Sequence, residues 1–284
     1  MRILSGAVAL LATFMLLPSL GSADGVLDRI AKQGEIRLAY RADAAPFSFL
    51  AEGAAEPEGY SIELCRAVVE SVKTELKLST LKIAYVKVTA EDRFEAITGG
   101  TADLLCEATT ATLARRASMD FSIATFISGA GMMIAAGGPT SFEALAGKKV
   151  GVLAGTTTEE DLKAYLAARN IIADIVTVKD HSDGFAQLEG GALAAYFADR
   201  TILQFMLMKR NQNGKLLLAD QFLSFEPYAL ALPRDADFRL EVDRALSRLF
   251  RNGGGRKAFA KTFGGDAKPT GLQSSLYVTS GLPE

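Results

Sequence analysis

Five polar side chains sit where strand-like stretches of this chain give way to helices or loops. Arg41 follows "EIRLAY", Arg93 lies in the first helical turn after "YVKV", and Arg115 stands six residues beyond Thr109 in "ATTATLARRASMDFS". His181, the only histidine, follows "IVTVKD", and Asp199 ends "LAAYFAD". Taken singly, each reads as a solvated loop residue, and a lone histidine as a structural side chain. Taken together, three arginines, an aspartate and a histidine at the same edge of α/β sheets can recognise a small zwitterion carrying an extra negative charge. A further stretch, "GVLAGTTTEEDL", runs strand, glycine, threonines, helix. Thr157 and Glu160 have capping-box spacing. The unpaired amides of such a helix start, with its dipole, attract an anion, although ordinary capping alone explains the pattern.

Other chemistries fit poorly. The chain has no Gly-x-Ser-x-Gly elbow, and its single histidine lacks an evident nucleophile. One histidine and two separated cysteines give no transition-metal site, and no cofactor is expected. Cys65 and Cys106 leave two readings open, a disulfide or two buried thiols. With 31 basic and 33 acidic residues the charge is nearly balanced, which argues against nucleic acid or an anionic membrane as partner.

The elements that must position these residues alternate. After "MRILSGAVALLATFMLLPSLGSA", residues 1–23, which read as a cleaved secretion signal, the chain runs strand, helix, strand, helix, strand through "EIRLAY", "SIELCRAVVESVKTEL", "LKIAYVKV", "AEDRFEAITGG" and "ADLLCEA". In the first helix Leu64, Val68 and Val72 share a face. "KKVGVLAG", "TTTEEDLKAYLAARN", "IVTV", "DGFAQLEGG" and "LAAYFAD" repeat the grammar. The expectation is two α/β lobes, each a mostly parallel sheet flanked by helices. The closing "YALALP" and two helices, with Phe238, Val242, Leu246 and Leu249 on one face, are expected to return to the first lobe. Lobe 1 is then 24–123 and 225–284, and lobe 2 is 124–224, joined by two crossing strands that permit closure. The tail 266–284 is expected to pack across a lobe through Leu272, Leu276 and Tyr277.

The order and spacing of "YRADAAPFSF", "GYSIELCRAVVESVK", "VTAEDRFEAITGGTADLLCEATTATLARR", "MDFS", "LAGKKVGVLAGTTTE", "VKDHSDGFAQLEGG" and "AAYFADR" resemble the extracellular solute-binding proteins of polar amino-acid ABC importers, family 3, and among them the glutamate/aspartate-binding branch. The likeness runs from about Gly34 to Gly264. It implies a type II periplasmic-binding-protein fold and no enzymatic activity. It also implies a monomer in the periplasm that captures an acidic amino acid and delivers it to an inner-membrane permease. Residue by residue, it implies that Arg115 clamps the α-carboxylate with help from Thr110 and Thr157. Asp199 accepts the α-ammonium, and Arg41, Arg93 and His181 receive the side-chain carboxylate. A charged His181 in that role makes binding weaken at alkaline pH.

The sequence departs from the branch at Ala90 and Ala108, where related proteins carry serine hydroxyls, which leaves glutamate, aspartate and other polar amino acids open. Glu107 adds a carboxylate that disfavours a dicarboxylate if it points inward, and is harmless on the other side of the sheet. It is also the acid that a secreted dehydratase on the same scaffold would need, the alternative to a binding protein.

Overall fold

The computed structural model describes residues 25–210 and 214–284; the expected secretion signal lies outside them. Two five-stranded sheets organise the chain. The first has the order Lys82–Val88, Glu35–Arg41, Leu104–Leu105, Ala231–Leu232, Asp120–Phe121. The second runs Asp174–Val178, Lys149–Leu153, Ala195–Asp199, Ala130–Ala135, Leu216–Phe222. Strand Ala231–Leu232 comes late in the chain and pairs with Leu105 and Phe121, so the closing segment returns to the first sheet.

Both sheets are mixed, with four of the five strands running in one direction. In each, three neighbouring strands pair in parallel and the other two join antiparallel. The alternating β and α grammar accounts for the parallel half. The antiparallel half consists of strands next to the crossings between lobes, where the chain reverses without an intervening helix. The crossings are Phe126–Ser128 and Glu226–Tyr228, themselves an antiparallel pair.

Helix Tyr60–Glu75 covers the first sheet with Leu64, Val68 and Val72, as its period requires, and Cys65 and Val69 are buried beside them. Each such aliphatic side chain contributes about 1.5–3 kcal/mol through burial. Helix Ala236–Arg251 buries Phe238, Val242 and Leu246 against the same lobe, with Leu249 half-buried. In the tail, helix Gly271–Thr279 buries Leu276 and Tyr277, whereas Leu272 is exposed. Gln273 does the anchoring there: its side chain donates to the carbonyl of Thr125 and accepts from the amide of Ile127.

Cys65 and Cys106 form a disulfide across 41 residues, tying helix Tyr60–Glu75 to the chain just past Leu104–Leu105. Chain-entropy arguments give such a loop about 4 kcal/mol of stabilisation. Urea unfolding with and without reductant is expected to show a loss of that order, with the fold retained. An unchanged midpoint would show that the bridge adds nothing.

Candidate ligand site

Parallel strands bring their C-terminal ends together, and the site is built from the segments that leave those ends. Arg41 pairs with Val88, so the exit of the first strand lies beside the segment leading to helix Arg93–Thr98. In the second sheet Val178 pairs with Leu153, which sets the starts of helices His181–Glu189 and Thr157–Ala168 side by side. Arg41, Arg93, Thr110, Arg115, Thr157, His181 and Asp199 all line one narrow cavity between the sheets, with Ala108, Leu153, Thr156, Thr158, Phe197 and Ala198. Sequence reasoning therefore named residues that share a wall. What each of them touches differs in several places from the expectation.

The lobes are closed over this cavity. Arg93 Nη2 donates to the carbonyl of Gly155 at 3.0 Å, and the amide of His181 reaches Asp43 Oδ2 at 3.4 Å. Gly155 has φ +72°, and a Cβ there would meet the carbonyl of Ala90 at 3.0 Å. A side chain at this position would be strained and would press on the loop that Arg93 bridges.

Arg41 is buried and gripped by Asp43, Nε to Oδ1 at 3.0 Å and Nη2 to Oδ2 at 2.8 Å. Burial opposes its charge, but Asp43 and Glu107 outweigh burial and hold its pKa above the usual value. Arg93 donates from Nη1 to the carbonyl of Ala90, and its Nε lies 3.3 Å from Glu107 Oε1. Burial, only partly offset by Glu107, pushes its pKa down to about 10, so it remains a cation at neutral pH. Phe94 lies under both Arg93 and Arg115, with guanidinium carbons 4.3 and 4.7 Å from the ring centre. Arg115 Nη1 donates to the carbonyl of Thr110 at 2.8 Å. Among the described residues Arg115 has no acid partner.

Glu107 points inward. Its side chain is fully buried against Arg93 and Arg41, the latter at 3.7 Å, and accepts from Thr109 Oγ1. The sequence left open which side of the sheet it faces, and the structure sets it against the arginines.

His181 corrects an expectation. Its Nδ1 lies 2.7 Å from the Tyr196 hydroxyl, and its ring is buried. Burial, with Arg41 nearby and only Asp43 opposing, pushes its pKa down to about 3. The imidazole is therefore neutral across the physiological range, and the expected alkaline weakening has no charged histidine behind it. Burial also raises the Tyr196 pKa, so its hydroxyl keeps its proton and donates to Nδ1. The ring proton then sits on Nε2, which has no partner. Gly184 permits this packing, since a Cβ there would come within 2.4 Å of the Tyr196 ring.

The threonines also differ. Helix Thr157–Ala168 is capped one residue earlier than the spacing suggested: Thr156 accepts from the amide of Glu159, and Glu159 accepts from the amide of Gly155. Thr157 is thereby the first helical residue, and the amides of this turn have no intrahelical partner. The hydroxyls of Thr110 and Thr157 both donate to Glu226 Oε2 on the crossing strand, Thr157 at 2.9 Å. With their protons committed there, their remaining capacity toward the cavity is as acceptors.

Asp199 has the Tyr228 hydroxyl against its carboxylate and Glu226 nearby. Its Oδ1 is buried with no hydrogen-bond partner. Burial, reinforced by the Glu226 carboxylate, raises its pKa to about 7. A buried carboxylate oxygen without a partner, facing a cavity, is a place for a cation.

Sequence reasoning missed Asp43, Phe94, Tyr196 and Glu226. Asp43 stands two residues beyond Arg41, a spacing that repeats a strand face and was a usable signal. Tyr196 and Glu226 act from a sheet interior and a crossing strand, where sequence gives no hint of a neighbour.

The profile of the bacterial extracellular solute-binding proteins, family 3, matches residues 36–265. The chain belongs to this family. It is 33% identical to the L-glutamate/L-aspartate-binding protein of Pseudomonas aeruginosa over 260 residues, 91% of this chain and 86% of that one. It is 30% identical, with the same coverage, to the glutamate/aspartate import solute-binding protein of Salmonella typhimurium. Among solved structures it resembles an ancestral amino-acid-binding protein that is a precursor of cyclohexadienyl dehydratase. That likeness has a TM-score of 0.73 and 26% identity, covering 84% of this chain and 99% of that chain. The two-lobed α/β fold of amino-acid-binding family members is thus the fold of this chain.

Proposed function

We propose that this family 3 protein is the periplasmic, monomeric binding component of an ABC importer, and that it captures an acidic amino acid, glutamate or aspartate, between its lobes. The observation that carries the reading is the convergence of Arg41, Arg93, Arg115, His181 and Asp199 on one narrow cavity. Asp199 Oδ1 takes the α-ammonium. Arg115 and the amides at the start of helix Thr157–Ala168 take the α-carboxylate. Arg41, Arg93 and the Nε2 proton of His181 face the side-chain end. The names of the two relatives support the acidic class. Export through the signal at residues 1–23 and docking of the closed form on an inner-membrane permease complete the proposed cycle, in which the ligand leaves unchanged.

Calorimetric titration of the mature protein with glutamate, aspartate, glutamine and a neutral apolar amino acid tests this. Saturable binding of an acidic amino acid is expected, weakened about fivefold in His181→Ala, where one neutral hydrogen bond worth about 1 kcal/mol is lost. No binding of any of them would end the reading. Turnover of a cyclic amino-acid precursor would replace it with the dehydratase alternative.

A further inference from the structure

The side-chain end of the cavity is not an uncompensated cationic trap. Arg41 and Arg93 stand there, but Asp43 is bidentate on Arg41, and Glu107 lies against both arginines at 3.7 and 3.3 Å. Two cations and two anions leave that end without net charge. Glu107 is not itself a wall residue; it presses on two that are. Its Oε2 is buried and has no hydrogen-bond partner, and His181 Nε2 is in the same position. With Nδ1 accepting from Tyr196, that nitrogen is a donor.

We infer that Glu107 sets the class of ligand side chain: by discharging the arginine pair it lets the pocket hold a side-chain carboxamide as well as a carboxylate. Asparagine and glutamine then join the acidic amino acids as ligands. The inference rests on the proposed function, since it concerns the far end of the same ligand. A carboxylate entering this end finds donors but adds a third anion to a balanced cluster, and close like charges are costly where water is excluded. A carboxamide adds no charge. Its oxygen accepts from the histidine and arginine donors, and its NH2 brings no third anion to the cluster. The buried atoms without a hydrogen-bond partner at this end are two donors, Arg93 Nε and His181 Nε2, and one acceptor, Glu107 Oε2, so the cluster already holds an anion beside its free donors.

The test is the ratio of affinities for glutamate and glutamine, and for aspartate and asparagine. A ratio is unaffected by partial unfolding of a variant and cancels everything the shared α-amino and α-carboxylate groups contribute. In the wild-type protein one amide is expected to bind within tenfold of its acid, or more tightly. In Glu107→Gln, which keeps the shape and removes the charge, the ratio is expected to move at least tenfold toward the acid. Glu107→Asp is expected to leave it near the wild-type value. A wild-type protein that binds the acid more than a hundredfold better than its amide overturns the inference without any variant. So does a ratio that Glu107→Gln leaves within threefold of the wild type. Both results keep the acidic reading. Binding of amides alone overturns the acidic assignment and with it an inference that requires both classes, and failure to bind any amino acid ends both.

Discussion

Replacing Asp199 with asparagine is expected to weaken amino-acid binding by roughly 30-fold to several thousandfold, the consequence of losing about 2–5 kcal/mol at a buried charge pair. The expectation follows from what the carboxylate lacks. It is buried at the end of strand Ala195–Asp199, its Oδ1 has no partner, and burial together with Glu226 has raised its pKa to about 7. An arriving ammonium supplies the missing charge and favours the ionised form. Binding therefore releases a proton when the pH lies below about 7. Affinity should rise with pH toward about 7 and then level, and Asp199→Asn should flatten that slope. Titrations in two buffers of different ionisation enthalpy would count the proton. A flat wild-type profile would remove Asp199 from the ammonium site.

The same shift has a consequence for stability, with the sign fixed by linkage. The folded-state pKa lies above the ordinary 3.8, so the unfolded chain ionises first as the pH rises. Stability from this group is fully present below about 4 and is lost as the pH climbs through about 7. The ligand-free protein should thus lose melting temperature across that window relative to Asp199→Asn, and bound ligand should restore it. Thermal melts at several pH values, with and without ligand, would show whether the two curves diverge.

Much of this site was legible because it is a product of topology. Strand–helix alternation places Arg41, Arg93, His181 and Asp199 at the ends of strands, and parallel pairing brings those ends together whatever the side chains are. What sequence could not give is the state of each group once assembled. His181 looked like a titrating contact because the family resemblance set it against a ligand carboxylate. In the fold it is buried against Tyr196, and burial, with Arg41 nearby, leaves it neutral. Thr110 and Thr157 looked like donors to a ligand, yet both spend their protons on Glu226, more than a hundred residues from Thr110 and 69 from Thr157. Charge state and proton direction are properties of the second layer, and that layer is contributed by segments far apart in the chain.

Arg115 offers the other large effect, and one that separates binding from folding. Its guanidinium is prepared for a planar anion. Nη1 is fixed on the carbonyl of Thr110 at 2.8 Å, and Phe94 supports the plane from 4.7 Å. Thr112 caps the short helix Leu113–Arg116 that carries it. No acid among the described residues pairs with it, unlike Arg41 and Arg93. Burial pushes its pKa down, with Glu107 the main charge opposing that, so the free site carries a desolvated cation awaiting a counterion. Arg115→Ala should cost about 2–5 kcal/mol in binding. Arg115→Lys should fall between, since a lysine keeps the charge and loses the fork. An α-decarboxylated analogue of the ligand gives the decisive comparison. If Arg115 clamps the α-carboxylate, wild type and Arg115→Ala should bind that analogue almost equally, closing a cycle with a large coupling term. If Arg115 only braces the loop, the variant should weaken both ligands alike and lower the melting temperature.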